Sequence, residues 1–172
     1  MHVIDIQTVP TFYQGYVNQV KHLPLSEALI QSHREFILLI QDKTENLASY
    51  RYAEGKWSVA ELICHMLDAE RIFCYRALRF ARKDQTELSS FDENAYAPEA
   101  NASNRTLAGL LQEAWHLRQS TLDLFNSFSE EMFLRKGKVN GNELSVLALG
   151  YIVAGHETHH RKVLQERYFQ QA

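Results

Sequence analysis

His156 and His160 stand four residues apart in Gly155-His156-Glu157-Thr158-His159-His160. In a helix, residues four apart lie one turn above each other on the same face. Two imidazoles held that way can grip one divalent cation. A third, His65, lies far upstream in Trp57-Ser58-Val59-Ala60-Glu61-Leu62-Ile63-Cys64-His65-Met66-Leu67-Asp68, which also has a helical pattern. Three protein ligands with one position left for water or substrate is the layout of a catalytic metal site, not of a closed structural one.

Each of these residues also has a plainer reading. A single helical histidine is more often a surface or hydrogen-bonded residue than a ligand. His159 is three residues from His156 and rivals His160, but the two are about 100° apart around a helix, so only one can face the metal well. The same stretch spells H-E-x-x-H, the motif in which zinc proteases use the glutamate as a general base. Those enzymes draw a further ligand from downstream. No histidine follows His160, although Glu166 is a carboxylate.

Glu61 and Asp68 lie one turn before and after His65, so either could fix its tautomer through a hydrogen bond. Either could equally be a helix-surface carboxylate. Glu70 and Arg71 face elsewhere and are candidates for pairing with other helices. Arg76 and Arg161 could hold an anionic substrate group, although a solvated surface role is the commoner one. Trp57 reads as a packing staple at a helix start. Phe73, Phe80 and Phe125 read as core, and His33 and His116 as packed or solvated. His2 and His22 carry no signal.

The elements that must position these groups read as helices. The three prolines, Pro10, Pro24 and Pro98, all avoid the periodic segments. The first long helix is expected from about Leu25 to Lys43, with Leu25, Leu29, Phe36, Leu39 and Ile40 as its apolar stripe. The second starts at Ser58, where Glu61 three residues on completes a capping box, and runs to about Arg82. The third runs from near Thr106 to Phe128, with Ser103 or Asn104 as its cap. The fourth follows the turn signal Asn140-Gly141-Asn142 and runs from about Ser145 to Phe169. A short helix could form between Phe12 and Val20.

Four such helices make an all-α four-helix bundle. The link Lys83 to Asn104 is much longer than its counterparts. It can carry the chain along the bundle, making helices two and three parallel in an up-down-down-up order. It can also wall a pocket, with Phe91 and Tyr96 at the mouth.

A chain of 172 residues is expected to form one domain, residues 1–172. The formal charge of −3 offers no general attraction to nucleic acid or anionic membrane. No apolar run approaches the roughly 20 residues of a membrane helix. Met1-His2-Val3-Ile4-Asp5-Ile6 lacks the basic start and apolar stretch of a signal peptide. Cys64 and Cys74, ten apart in one helix, are too far along its axis to bridge, so reduced thiols in a cytoplasmic protein are expected.

The sequence resembles the DinB-like superfamily, the group that includes the YfiT-type metal proteins. The resemblance is carried by Gly55-Lys56-Trp57-Ser58 leading into His65, then Asp68-Ala69-Glu70-Arg71, Phe91-Asp92-Glu93 in the long link, and Gly150-Tyr151-Ile152-Val153-Ala154-Gly155-His156-Glu157-Thr158-His159-His160. It spans about Leu25 to Tyr168. It implies a four-helix bundle with a long crossover and a divalent metal held by His65, His156 and His160. It also implies frequent homodimers. Relatives include transferases and isomerases dependent on low-molecular-weight thiols.

The expected function is therefore a metal-dependent enzyme acting on a small molecule, either as a thiol S-transferase or as a hydrolase. A divalent ion acidifies bound water and deprotonates a coordinating thiol. Zinc and nickel suit three nitrogens and a water, and iron is a further candidate. A stress or interaction protein that binds metal without turnover would use the same three histidines. The two differ in whether an accessible pocket with convergent polar groups opens on the site.

Overall fold

Ser58, Thr106 and Ser145 each accept a hydrogen bond from the backbone N–H three residues on, and each starts a long helix. At Ser58 the Glu61 carboxylate also accepts from the Ser58 N–H at 2.6 Å, completing the capping box read from the sequence. The computed structural model describes residues 4–170. His2 and the first three positions of the N-terminal stretch lie outside them.

In chain order the helices are α1 (Thr11–Val17), α2 (Leu25–Ile40), α3 (Val59–Ala81), α4 (Glu93–Glu99), α5 (Leu107–Asn126), α6 (Glu130–Leu134) and α7 (Val146–Val163), which ends in a π-helical turn, Leu164–Tyr168. α2 stops at Ile40, short of Lys43. α5 is capped by Thr106, and Asn104 instead ends a separate 3-10 turn, so the expected cap at Ser103 or Asn104 is corrected.

α7 is the central element. Every residue from Ala148 to Thr158 is buried, so this helix is enclosed on all sides rather than striped. Gly155 is what lets α1 lie against it, because a Cβ there would strike the backbone carbonyl of Tyr16. α2 buries Leu25, Leu29, Phe36 and Ile40 against the bundle, with Ser32 on the same face as expected. α3 buries Phe73 and Phe80, and α5 buries Leu110, Ala114, Thr121 and Phe125.

Pairs of contacts record how the long helices lie. Between α3 and α5, Arg71 bonds Glu113 and Cys74 meets Thr121 at 3.3 Å. Between α2 and α7, Ser32 bonds Glu157 and Glu35 pairs with Arg161 at 3.0 Å. Between α3 and α7, His65 meets His156, while the Tyr168 hydroxyl donates to the Trp57 carbonyl at 2.8 Å.

The two unequal links meet each other. The segment between α6 and α7 folds into a hairpin, β1 (Lys136–Val139) and β2 (Asn142–Ser145), in which Val139 faces Asn142. The intervening Asn140 and Gly141 both have positive φ, 46° and 76°, as a type I′ turn demands. The link between α3 and α5 then lays Leu88 beside Val139, with Leu88 N–H donating to Lys138 and Asn140 N–H donating to Leu88. Its own α4 is capped by Asp92, whose carboxylate accepts from the Asn94 and Ala95 N–H groups. Among the described residues no helix is long and apolar enough to cross a membrane.

Candidate metal centre

His65 stands about two turns into α3, and His156 and His160 one turn apart on α7. Their ring nitrogens converge. His156 Nε2 lies 3.1 Å from His65 Nε2 and 3.1 Å from His160 Nε2. One ligand atom from each of the three lies within 4.8 Å of the others. Two nitrogens that each bind one ion at about 2.0–2.1 Å in tetrahedral geometry sit about 3.3 Å apart, so the spacing fits a shared cation.

The hydrogen-bonding arithmetic points the same way. An imidazole Nε2 has either one lone pair or one N–H. His156 Nε2 can therefore pair with only one of its two neighbours. A cation taking a lone pair from each ring removes that conflict.

All three rings are held neutral, the form that binds metal. Burial is the main cause for each. It pushes His160 down to about 3, helped by His65 and His159. It pushes His156 well below the ordinary range, helped by His160 and His65. His65 is also lowered, against the opposing charge of Glu93.

His159 turns away from the cluster and lies edge-on to Tyr16, 5.2 Å between ring centres. The Glu157 carboxylate is engaged by other groups in the core. It accepts from Ser32 at 2.7 Å, Arg118 at 2.8 Å and His33 Nδ1 at 3.1 Å. A carboxylate so engaged in the core is not the base of a protease, and the H-E-x-x-H reading fails on that geometry. His33 is accordingly a packed residue, and His22 and His116 are exposed.

Glu61 is occupied by Ser58 and Arg51, and Asp68 lies 3.7 Å from Arg71. Among the described residues neither bonds His65. Glu70 and Arg71 do pair with another helix, through Arg118 and Glu113 of α5.

The histidines lie on the wall of an open cavity of about 470 Å³. Two sequence readings change here. Trp57 lines this cavity, its ring 5.0 Å from that of His65, rather than only stapling the helix start. Arg76 lines it too and is buried, not solvated. Arg161 pairs with Glu35 and lies away from it.

Phe91 of the long link forms part of the wall, as expected. The Tyr96 ring lies tilted at 52° against Phe91, 5.4 Å between centres, and is not itself in the wall. Sequence reasoning missed Tyr13 and Tyr16 of α1, Glu93 of α4, and Asn140 and Asn142 of the hairpin. Only the Phe91-Asp92-Glu93 motif and the Asn-Gly turn hinted at any of these.

No curated protein matches the sequence. Among solved structures, the chain is similar to YfiT from Bacillus subtilis, with a TM-score of 0.76 and 15% identity over 86% of this chain and 85% of that one. YfiT is described as a probable metal-dependent hydrolase with an unusual four-helix bundle topology. A DinB-like protein from the same organism, YjoA, matches with a TM-score of 0.63 and 18% identity over 86% and 90%. At such identities the likeness speaks for the fold, a mostly helical bundle of the YfiT kind. The sequence profile of the DinB superfamily matches residues 28–164, a span that takes in all three converging histidines and most of every long helix, and the chain belongs to that superfamily.

Proposed function

We propose that this protein is a divalent-metal enzyme acting on a small molecule, with His65, His156 and His160 as the metal ligands. The observation that carries the reading is the convergence of three neutral imidazoles on an open cavity with polar groups around it. A closed, dry cluster would have favoured a metal-binding protein without turnover. The ion, with zinc or nickel the best match to three nitrogens, supplies Lewis acidity and acidifies a water or thiol that reaches it. The protein's own part is to hold three rings neutral, to wall off bulk water with aromatic side chains, and to orient the substrate between α1, α3 and the hairpin. Hydrolysis is the reaction class we place first, in line with the description of YfiT. Transfer of a low-molecular-weight thiol is second.

The same reading includes an up-down-down-up order for α2, α3, α5 and α7 within one domain. It is supported by contact pairs that rise together in sequence between α3 and α5 and between α2 and α7. A homodimer fits the exposed Ile30, Leu38 and Trp115, each about half accessible. Sedimentation as a monomer at micromolar concentration would count against it. The thiols of Cys64 and Cys74 fit a cytoplasmic setting.

The test is metal analysis of natively purified protein, then a screen of small esters, amides and thiol acceptors on the same sample. One equivalent of metal and turnover that disappears on chelation is the expected result. Stoichiometric metal with no access for thiols or carboxylates, read from the visible spectrum of a cobalt-substituted sample, would replace the enzyme by the binding protein.

A further inference from the structure

Arg76 is buried to 3% exposure in the wall of the cavity that holds the three histidines, yet its partners are neutral. Its Nη2 donates to the Ser89 carbonyl at 3.0 Å, and the Tyr13 phenol bonds the same guanidinium. Among the described residues no carboxylate pairs with it. The contrast within this chain is Arg118, 1% exposed, which holds the carboxylates of Glu70 and Glu157 together. Buried charges are ordinarily paired, because desolvation otherwise goes uncompensated. Arg118 follows the rule from within the protein, and Arg76 leaves its counter-ion to be brought in.

The guanidinium is also held in place. Its carbon lies 5.8 Å from the centre of the Phe73 ring and 5.9 Å from that of Phe91, so two aromatic rings flank it. Phe73 in turn lies 5.9 Å from the His156 ring. One aromatic ring therefore separates Arg76 from the histidines. A guanidinium carries five N–H donors in a planar fork, more than Ser89 and Tyr13 use, and that fork matches a carboxylate.

We infer that Arg76 binds the carboxylate of a small organic acid with an apolar or aromatic body. The body lies against Trp57, Phe73, Tyr13 and Tyr16, and the reacting group points at His65, His156 and His160. The acid end of this assignment stands on Arg76 alone. The reacting end rests on the metal-enzyme reading above.

The test uses full-length protein in a Trp115→Phe background, so that Trp57 is the remaining tryptophan, treated with chelator. Benzoate, phenylacetate and 4-phenylbutyrate are titrated against their own neutral amides, by calorimetry and by Trp57 fluorescence. At least one acid should bind about 10- to 100-fold more tightly than its amide, the worth of a hydrogen-bonded charge pair. Arg76→Gln should bring that ratio near one without weakening the amide. Arg76→Lys, a point charge without the fork, should keep part of it.

No acid preference in any pair, or an undiminished preference in Arg76→Gln, overturns the assignment. Should circular dichroism show Arg76→Gln unfolded, Arg76→Lys decides: an unchanged ratio overturns, a several-fold drop supports. Metal content of the untreated protein is measured separately. Acid preference without retained metal keeps this inference and sinks the metal-enzyme reading, and the reverse result does the opposite.

Discussion

Chelator-treated protein should lose about 3 kcal/mol of stability on going from about pH 7.5 to about pH 5.5. His156 is held well below its ordinary range and His160 at about 3, in both cases chiefly by burial. In the unfolded chain both titrate near about 6.5. A folded pKa below the unfolded one means that the unfolded state takes up protons first. The contribution is therefore whole above about 6.5 and drains away as the pH falls towards the folded values. One unit below the unfolded pKa, each ring kept neutral by the fold costs about 1.4 kcal/mol, and two such rings cost about 3. His65 is lowered in the same direction and adds to the loss. For a chain of this length the drop in Tm is about 6–12 °C. The assay is urea and thermal unfolding, followed by far-ultraviolet circular dichroism with chelator present at both pH values. His160→Asn should remove about half of the pH-dependent loss. An equal loss in wild type and His160→Asn would refute the reasoning.

Alanine at His65, His156 or His160 should abolish stoichiometric metal, measured by mass spectrometry, while far-ultraviolet spectra stay helical; if His159→Ala loses the metal and His160→Ala keeps it, the ligand assignment is wrong. Gly155→Ala should cost about 1–3 kcal/mol in urea unfolding, as overpacking does, because the added methyl meets the Tyr16 carbonyl; an unchanged midpoint would mean that α1 is not seated there. Arg118→Met alone should cost about 3–5 kcal/mol by leaving Glu70 and Glu157 buried without their cation, whereas Arg118→Met with Glu70→Leu and Glu157→Leu should regain most of it yet bind zinc about 10- to 100-fold more weakly. Wild-type zinc affinity in the triple variant would show that the network has no part in placing the ligands.

The histidine cluster was legible because it rests on local rules. A four-residue spacing on one helix puts His156 and His160 on one face, while the preference for His160 over its rival His159 comes from the family resemblance. The hairpin was half legible. Asn140-Gly141 is a strong turn signal, but Lys136-Gly137-Lys138-Val139 lacks the alternation that marks a strand, so the turn was read as a simple helix boundary. Tyr13 and Tyr16 were not legible as cavity residues, and Arg76 was legible only as a candidate for an anionic group, with a solvated role the commoner one. Their place depends on α1 docking against Gly155 and on the long link closing over α3, contacts between segments far apart in sequence. Arg76 and Arg118 carry the same side chain and both are buried, and nothing in their local sequence says so.

Arg118 also bears on how two helices bring three histidines together. From α5 it bonds the Leu29 carbonyl at 2.6 Å and Ser32 at 3.1 Å on α2, both oxygens of Glu70 at 2.8 and 2.9 Å on α3, and Glu157 at 2.8 Å on α7. Thr121, one turn on, donates to Glu70 at 2.7 Å. One guanidinium thus touches every other long helix. An apolar core of the same shape would hold the bundle as well or better, so stability does not account for this network. Register does. Apolar faces tolerate sliding, and a slip of one residue moves a helix by about 1.5 Å along its axis. That is close to the whole length of a metal–imidazole bond, about 2.0–2.1 Å. His65 comes from α3, and His156 and His160 come from α7, so their convergence requires those two helices to be fixed in height. Glu70 is five residues beyond His65, and Glu157 is the neighbour of His156. A forked cation that both carboxylates must reach fixes that height, which undirected packing would leave loose.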